Sequence, residues 1–117
     1  MMIIQPGVKV HLAAGFTDLR RGLDGLAVMV EQLLEQDPFS GHMFVFRGRR
    51  TDMIKILFWD GTGLCLFTKR LEDGCFPWPI TSEQDVTVPI SSAQLLMLLE
   101  GVDWRRPERM WRPAVAG

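Results

Sequence analysis

Short apolar or alternating runs separated by turn residues occupy the middle of the chain, and two other segments repeat their apolar residues at helical spacing. Period-two runs bounded by Gly, Pro and Asp indicate strands, whereas spacing of three and four residues indicates helices. The predicted strands are residues 8–12, 42–46, 53–59 and 64–70, and the predicted helices are residues 19–36 and 93–100. The runs 80–82 and 85–89 are weaker strand candidates.

Turn and cap residues arrange these elements. Asp60-Gly61 and Asp73-Gly74 stand where hairpin turns are expected, because Asp-Gly favours two-residue hairpin loops. Thr17 or Asp18 is predicted to cap the first helix, and Ser91 or Ser92 the second. The predicted fold class is α+β: an antiparallel β-meander with one long N-terminal helix and one short C-terminal helix.

The length and composition fit one folded domain. The chain has 117 residues, of which 47% are hydrophobic, enough for a core of its own. No linker or internal repeat divides it. We therefore expect a single α+β domain over residues 1–104, followed by an Arg- and Trp-rich, Pro-interrupted arm over residues 105–117.

The sequence lacks membrane and secretion signals. No run approaches the roughly 20 apolar residues that span a bilayer, and the first residues lack the basic and apolar regions of a signal peptide. A cytoplasmic protein with no membrane contact is expected. A disulfide between its two cysteines, Cys65 and Cys75, is not predicted, because a hairpin at Asp73-Gly74 would place them far apart along the strands. They also lack the spacing of a metal site, so no metal is predicted, even with His11 and His42 counted as ligands. No cofactor is predicted.

The positions of the acidic and cysteine residues in the sequence do not indicate a catalytic centre. A metal-dependent nuclease needs several acids around a cation, and the candidates Asp52, Asp60 and Glu72 stand at predicted turns, where acids usually serve turn geometry. Cys65 lies within an apolar strand pattern, where a thiol is usually inert. We predict no catalytic residues and no enzymatic activity, and keep an unrecognised nuclease as an alternative.

Positive charge is concentrated although the net charge is only −1. A partner responds to local patches of charge more than to the sum. Arginines at a hairpin tip and in the first turn of a helix, where the dipole disfavours cations, indicate an anionic partner. The residues predicted to contact nucleic acid are Arg20, Arg21, Arg47, Arg49, Arg50 and Lys55.

Protein contact is predicted from tryptophan and arginine, residue types that dominate binding hot spots. Trp78 stands between Pro77 and Pro79, which should hold it rigidly. The residues predicted to contact a protein are Trp78, Trp104 and Arg105.

Four stretches together resemble a known family. They are residues 17–26 (TDLRRGLDGL), 37–50 (DPFSGHMFVFRGRR), 55–66 (KILFWDGTGLCL) and 98–104 (LLEGVDW). They closely resemble the small second-frame accessory protein, TnpB type, of the insertion-sequence sixty-six family of bacterial transposons. The resemblance covers nearly the whole chain.

The resemblance implies a role in transposition beside a separate transposase, and it brings no catalytic residues to transfer. The expected function is that of a non-enzymatic accessory protein for DNA transposition. It is expected to contact transposon DNA, or the transposase and other proteins of the element, or DNA and proteins together. The alternative is a protein-interaction subunit that does not bind DNA. Whether the chain forms a homo-oligomer stays open.

Overall fold

A helix joins the first two strands of the chain. In the computed structural model, which describes residues 4–82 and 84–102, strand β1 (Val10–Phe16) leads through helix α1 (Leu23–Gln32) to strand β2 (Met43–Arg47). β1 and β2 run parallel, with Val10 opposite Met43. Parallel neighbours need a crossover of a dozen or more residues, usually helical. The predicted antiparallel meander with a long N-terminal helix is therefore wrong: the sheet is mixed, and a shorter helix lies between two strands.

Three antiparallel pairings complete the five-stranded sheet, whose order is β4-β3-β2-β1-β5. The remaining elements are β3 (Met53–Trp59), β4 (Leu64–Arg70), β5 (Thr87–Ile90) and helix α2 (Ser92–Leu99). β3 pairs with β2 and β4, and β5 returns to the free side of β1. The observed limits of β3 and β4 are those predicted from the sequence.

The chain after β4 departs from the predicted hairpin at Asp73-Gly74. It instead crosses to the connection between β2 and β3, where the amides of Leu71 and Phe76 donate to the carbonyls of Asp52 and Thr51, each at 2.8 Å. No described residue pairs with the outer side of β4. This crossing carries the segment containing Trp78 over one face of the sheet.

Both faces of the sheet are buried. Alternate residues of β2 separate the two cores: Met43 and Val45 face α2, whereas Phe44 and Phe46 face α1. The α1 side is sealed by Leu26 and other apolar helix residues, and the α2 side by Leu95, Leu98 and the buried Phe76–Trp78 segment. A strand that is covered on both faces has a continuous run of apolar residues, and β2 begins with four buried apolar residues in succession.

Helix α1 is shorter at both ends than its apolar spacing predicts. Asp18 does not cap it; the N-cap is Gly22, and no side chain bonds there. The helix ends at Gln32. Three residues later Glu35 adopts a positive φ of 54°, and the Gln36 amide donates to the Val30 carbonyl at 3.0 Å. A positive φ of this kind is adopted at least steric cost by glycine.

Helix α2 begins as its sequence predicts. The Ser91 hydroxyl accepts from the Gln94 amide at 3.0 Å, and the Gln94 side chain accepts from the Ser91 amide at 2.8 Å, a reciprocal capping box. At the other end, the Lys69 ammonium of β4 donates to the Leu99 carbonyl at 2.6 Å. A cation there also suits the helix dipole, so α2 is fixed to the edge of the sheet.

Neither described helix is long and apolar enough to cross a membrane. Trp104, Arg105 and the predicted arm lie outside the described residues.

Glu35→Gly should stabilise the protein by about 0.5–1 kcal/mol, because glycine adopts the positive φ without the steric cost that a side chain carries. Urea unfolding measures the change. The control is Glu31→Gly inside α1, which should destabilise by about 1 kcal/mol. Destabilisation by both substitutions would contradict the assigned end of the helix.

Candidate nucleic-acid interface

An irregularity near the end of β1 sets the geometry of the site. The pairing of β1 with β2 shifts between Leu12 and Phe16, where the small residues Ala13, Ala14 and Gly15 intervene. After the shift, Phe16 lies opposite Arg47, and the Thr17 amide donates to the Arg47 carbonyl at 2.8 Å. Bulges of this kind redirect side chains near functional sites. Here the bulge leaves the Phe16 ring half exposed beside Arg47.

Arg47 is a half-buried structural cation. Its Nη2 donates to the Ala14 carbonyl at 2.9 Å, and its guanidinium carbon lies 4.6 Å from the Phe16 ring centre and 5.0 Å from the Trp78 ring centre. Its Nε has no hydrogen-bond partner among the described residues. Burial lowers the pKa of the Arg47 side chain from its ordinary value. These contacts join β1, β2 and the Trp78 segment.

A groove lies at the same end of the sheet, between the β1–α1 loop and the β2–β3 loop. The loops touch at Gly48, where an added Cβ would lie 3.2 Å from Cδ1 of Leu19. A side chain at position 48 would therefore crowd Leu19, and glycine allows the two loops to pack closely. The groove has a volume of about 820 Å³ and extends to Lys55 and Thr68 on the neighbouring strands.

Four predicted nucleic-acid contacts line the groove: Arg20, Arg49, Arg50 and Lys55. They come from three separate segments of the chain. Two acids, Asp18 and Asp52, share the lining, which leaves a formal charge of +2. A protein whose net charge is −1 thus presents a locally positive concave surface.

Arg20 is held by Asp18 in a two-pronged ion pair. Its Nε lies 2.9 Å from Oδ1 and its Nη2 lies 2.8 Å from Oδ2, while the Arg20 amide also donates to Oδ1 at 3.0 Å. This pairing lowers the pKa of the Asp18 carboxyl well below its usual range and raises that of Arg20. Asp18 therefore organises the loop and its arginine, which explains why it does not cap α1.

The other groove cations differ in how firmly they are held. Arg49 is exposed, with its guanidinium carbon 5.2 Å from the Phe16 ring centre. Arg50 approaches Asp52 at 3.4 Å, and the half-buried Lys55 donates to the Arg21 carbonyl at 3.1 Å. Among the described residues Arg49 forms no ion pair. An incoming anion therefore displaces no described acidic side chain when it binds Arg49.

The remaining predicted contacts fall elsewhere. Arg21 is exposed, but neither Arg21 nor Arg47 lines the groove, and Arg47 makes the protein contacts described above. Trp78, predicted to contact a protein, lies in the core at 7% exposure. Trp104 and Arg105 are outside the described residues. Phe16 was not predicted as a site residue; the only signal for it is the break in alternation at Ala13-Ala14-Gly15.

The turn at Asp60 is a structural feature at the opposite end of β3. Its Oδ1 accepts from the amides of Thr62 and Gly63 at 2.9 and 2.8 Å and from the Thr62 hydroxyl at 3.1 Å. These bonds lower the pKa of Asp60 to about 2. Asp52 precedes β3 and Asp60 follows it, eight residues later, so strand rise separates the two by about 26 Å. The nuclease set of Asp52, Asp60 and Glu72 therefore does not converge.

The other candidate metal ligands and nucleophiles do not assemble a metal or catalytic site among the described residues. Cys65 and Cys75 are free thiols, and burial, followed by Asp60, raises the pKa of Cys65, the opposite of an activated nucleophile. His11 Nε2 and His42 Nδ1 lie 3.0 Å apart as a hydrogen-bonded pair. Within residues 4–82 and 84–102, no three His, Cys, Asp or Glu side chains are grouped to hold a metal ion.

The fold and groove define a small mixed α/β domain with a positively charged concave surface at one end of its sheet. The family described as "IS66 Orf2 like protein" (TnpB_IS66) matches residues 8–109, and the chain belongs to this family. Membership identifies a transposition-associated accessory protein of a bacterial insertion sequence, which confirms the family expected from the sequence motifs.

Two relatives come from Sinorhizobium fredii (strain NBRC 101917 / NGR234). The uncharacterized protein y4hO is 47% identical over 110 residues, covering 94% of each chain. The uncharacterized protein y4jC is 38% identical over 103 residues, covering 88% of this chain and 86% of the relative. No solved structure matches the chain.

Arg47→Met should lower the free energy of unfolding by about 2–3 kcal/mol, because it removes a charged hydrogen bond and two cation–π contacts while keeping an apolar stem. Arg49→Met, at an exposed position, should change it by less than about 0.5 kcal/mol. Urea unfolding of both variants measures the difference. Equal stabilities would show that Arg47 is not a structural cation.

Asp60→Asn should destabilise the protein at pH 5 and progressively less at lower pH. The pKa of Asp60 is about 2 in the folded protein against an ordinary 3.8, so its charged form stabilises the fold above pH 4, and that contribution is lost as the pH falls through 2. Urea midpoints of wild type and variant between about pH 5 and 2 test this. A difference that stays constant with pH would refute the role of the charge.

Proposed function

We propose that this protein is a non-enzymatic accessory protein of transposition that binds DNA of its insertion sequence through the groove. The supporting observation is the convergence of Arg20, Arg49 and Lys55 from three segments on one concave surface. Cations on a concave surface concentrate the potential that attracts phosphates. Family membership supplies the context, since the DNA of a transposon is the substrate of the process in which the family acts.

The ion pairs already in the groove do not oppose phosphate binding. Arg20 and Arg50 pair with Asp18 and Asp52, but both arginine side chains are highly exposed. Exposed pairs contribute about 0–1 kcal/mol, so a phosphate competes readily for these guanidiniums. Arg49, without an acidic partner among the described residues, would make the first contact.

Contact with the transposase and other proteins of the element belongs to the same proposal, supported by family membership. Trp104 and Arg105 are the residues proposed for it.

Binding should weaken steeply with salt. The groove can engage two to four phosphates, so the slope of log K against log salt should be about −2 to −4. Fluorescence anisotropy with a labelled duplex carrying the terminal sequence of the element measures it. Absence of binding at low salt would refute the DNA part and favour a subunit that binds only proteins.

Arg49→Glu should weaken duplex binding by about tenfold or more, because it removes a cation from the groove and adds a repelling charge. The matched control is Lys9→Glu, which makes the same change in net charge on an exposed residue before β1, at the far end of the sheet. It should change affinity by less than about twofold. Equal losses in both variants would show an effect of total charge and not of the groove.

A further inference from the structure

An exposed aromatic ring stands among the cations of the groove. Phe16 is 50% exposed and lines the groove together with Arg20, Arg49 and Lys55. A DNA duplex presents phosphates on its surface and keeps the faces of its bases stacked inside, so a duplex brings no flat group to the exposed ring. An unpaired nucleotide presents both a phosphate and a flat base.

We infer that the groove binds single-stranded DNA, with a base stacked on Phe16 and adjacent phosphates on the groove cations. This inference rests on the proposed function and specifies which form of DNA the same site takes. Proteins that bind single strands combine a cationic groove with aromatic stacking platforms, and stacking is tolerant of sequence because every base has a flat face.

The platform is fixed before a ligand arrives. The Phe16 ring contacts the Arg47 guanidinium at 4.6 Å, and Arg47 is itself held by the Ala14 carbonyl and by Trp78. The bulge in β1 sets the backbone of Phe16 opposite Arg47. A preorganised ring loses little conformational freedom on binding, which favours affinity.

A cation able to hold the phosphate lies next to the platform. The Arg49 guanidinium is 5.2 Å from the centre of the same ring and is exposed. A base that stacks on Phe16 takes the place of this contact, and the flexible Arg49 side chain then reaches the phosphate beside that base. One nucleotide can therefore engage both residues.

The groove also has the size and charge for this ligand. Its volume of about 820 Å³ lies within the range of pockets that enclose small organic ligands, and its formal charge of +2 complements a polyanion. An acidic peptide matches the charge but not the exposed ring. That difference makes single-stranded DNA the better fit, and a peptide is included in the test.

Three labelled probes separate the claims: a blunt duplex with the terminal sequence of the element, the same duplex with a single-stranded tail, and a polyglutamate peptide. The full chain should bind the tailed duplex more tightly than the blunt one by about tenfold, and the peptide weakly. Phe16→Leu should remove the tenfold gain, so that the variant binds the tailed and the blunt duplex with equal affinity. Phe16→Trp should restore the gain, since the indole keeps the flat surface.

The matched control is Phe39→Leu, at a ring of similar exposure that packs against Trp59 outside the groove. It should leave all affinities unchanged. Because Phe16→Leu also alters a contact of Arg47, 2-aminopurine placed in the tail provides a readout on the wild-type protein. Its fluorescence should fall on binding as the base stacks.

The outcomes distinguish this inference from the proposed function. Equal binding of blunt and tailed duplexes, with 2-aminopurine unquenched, overturns the single-strand inference and leaves duplex binding standing. Failure to bind any DNA overturns both. Polyglutamate binding as tight as that of the tailed duplex shows a general anion surface and overturns the inference.

Discussion

The parallel pairing of β1 with β2 is the constraint from which the site follows. Because α1 carries the chain back to the start of the sheet, both strands run the same way and both end at the same edge. The loops that follow them, 17–22 and 48–52, are thereby brought side by side. Gly48 against Leu19 closes the contact between them. An antiparallel pairing would have sent the two loops to opposite ends and separated Arg20 from Arg49.

The arginines near this edge divide into two kinds because of where the strand ends. Arg47 is the last residue of β2 and keeps the alternation of Met43 and Val45, so it points to the side of the sheet that holds Trp78. Arg49 and Arg50 lie beyond the strand and are exposed. Arg47 therefore stabilises this end of the sheet by its contacts with protein, whereas Arg49 and Arg50 are available to a ligand.

Local elements follow closely from the sequence, whereas their assembly does not. Residues 53–59 and 64–70 form strands with the predicted limits, and Ser91 caps α2, because alternation and capping depend on near neighbours. The parallel direction of β1 depends on a long-range pairing that periodicity does not encode. Helix α1 is shorter than predicted because the Asp18–Arg20 turn uses residues that the apolar pattern would have assigned to the helix.

The candidate site shows the same division. The cationic loop was visible in the sequence as Arg49-Arg50, but its association with Arg20 and Lys55 depends on the fold. Phe16 was missed because the bulge in β1 breaks the period of two that would have placed it. Trp78 was predicted to contact a partner protein and to be held rigidly by its flanking prolines, yet the crossing after β4 buries it.

The account assigns DNA binding to one end of the sheet, and mapping by nuclear magnetic resonance tests this most directly. On titration with DNA from the end of the element, amide signals of Leu19, Arg49 and Thr68 should shift in a saturable manner. Those of the turn at Asp60–Gly63, at the other end of β3, should stay unchanged. Shifts confined to that turn or to α2, with the groove residues unaffected, would contradict the assignment.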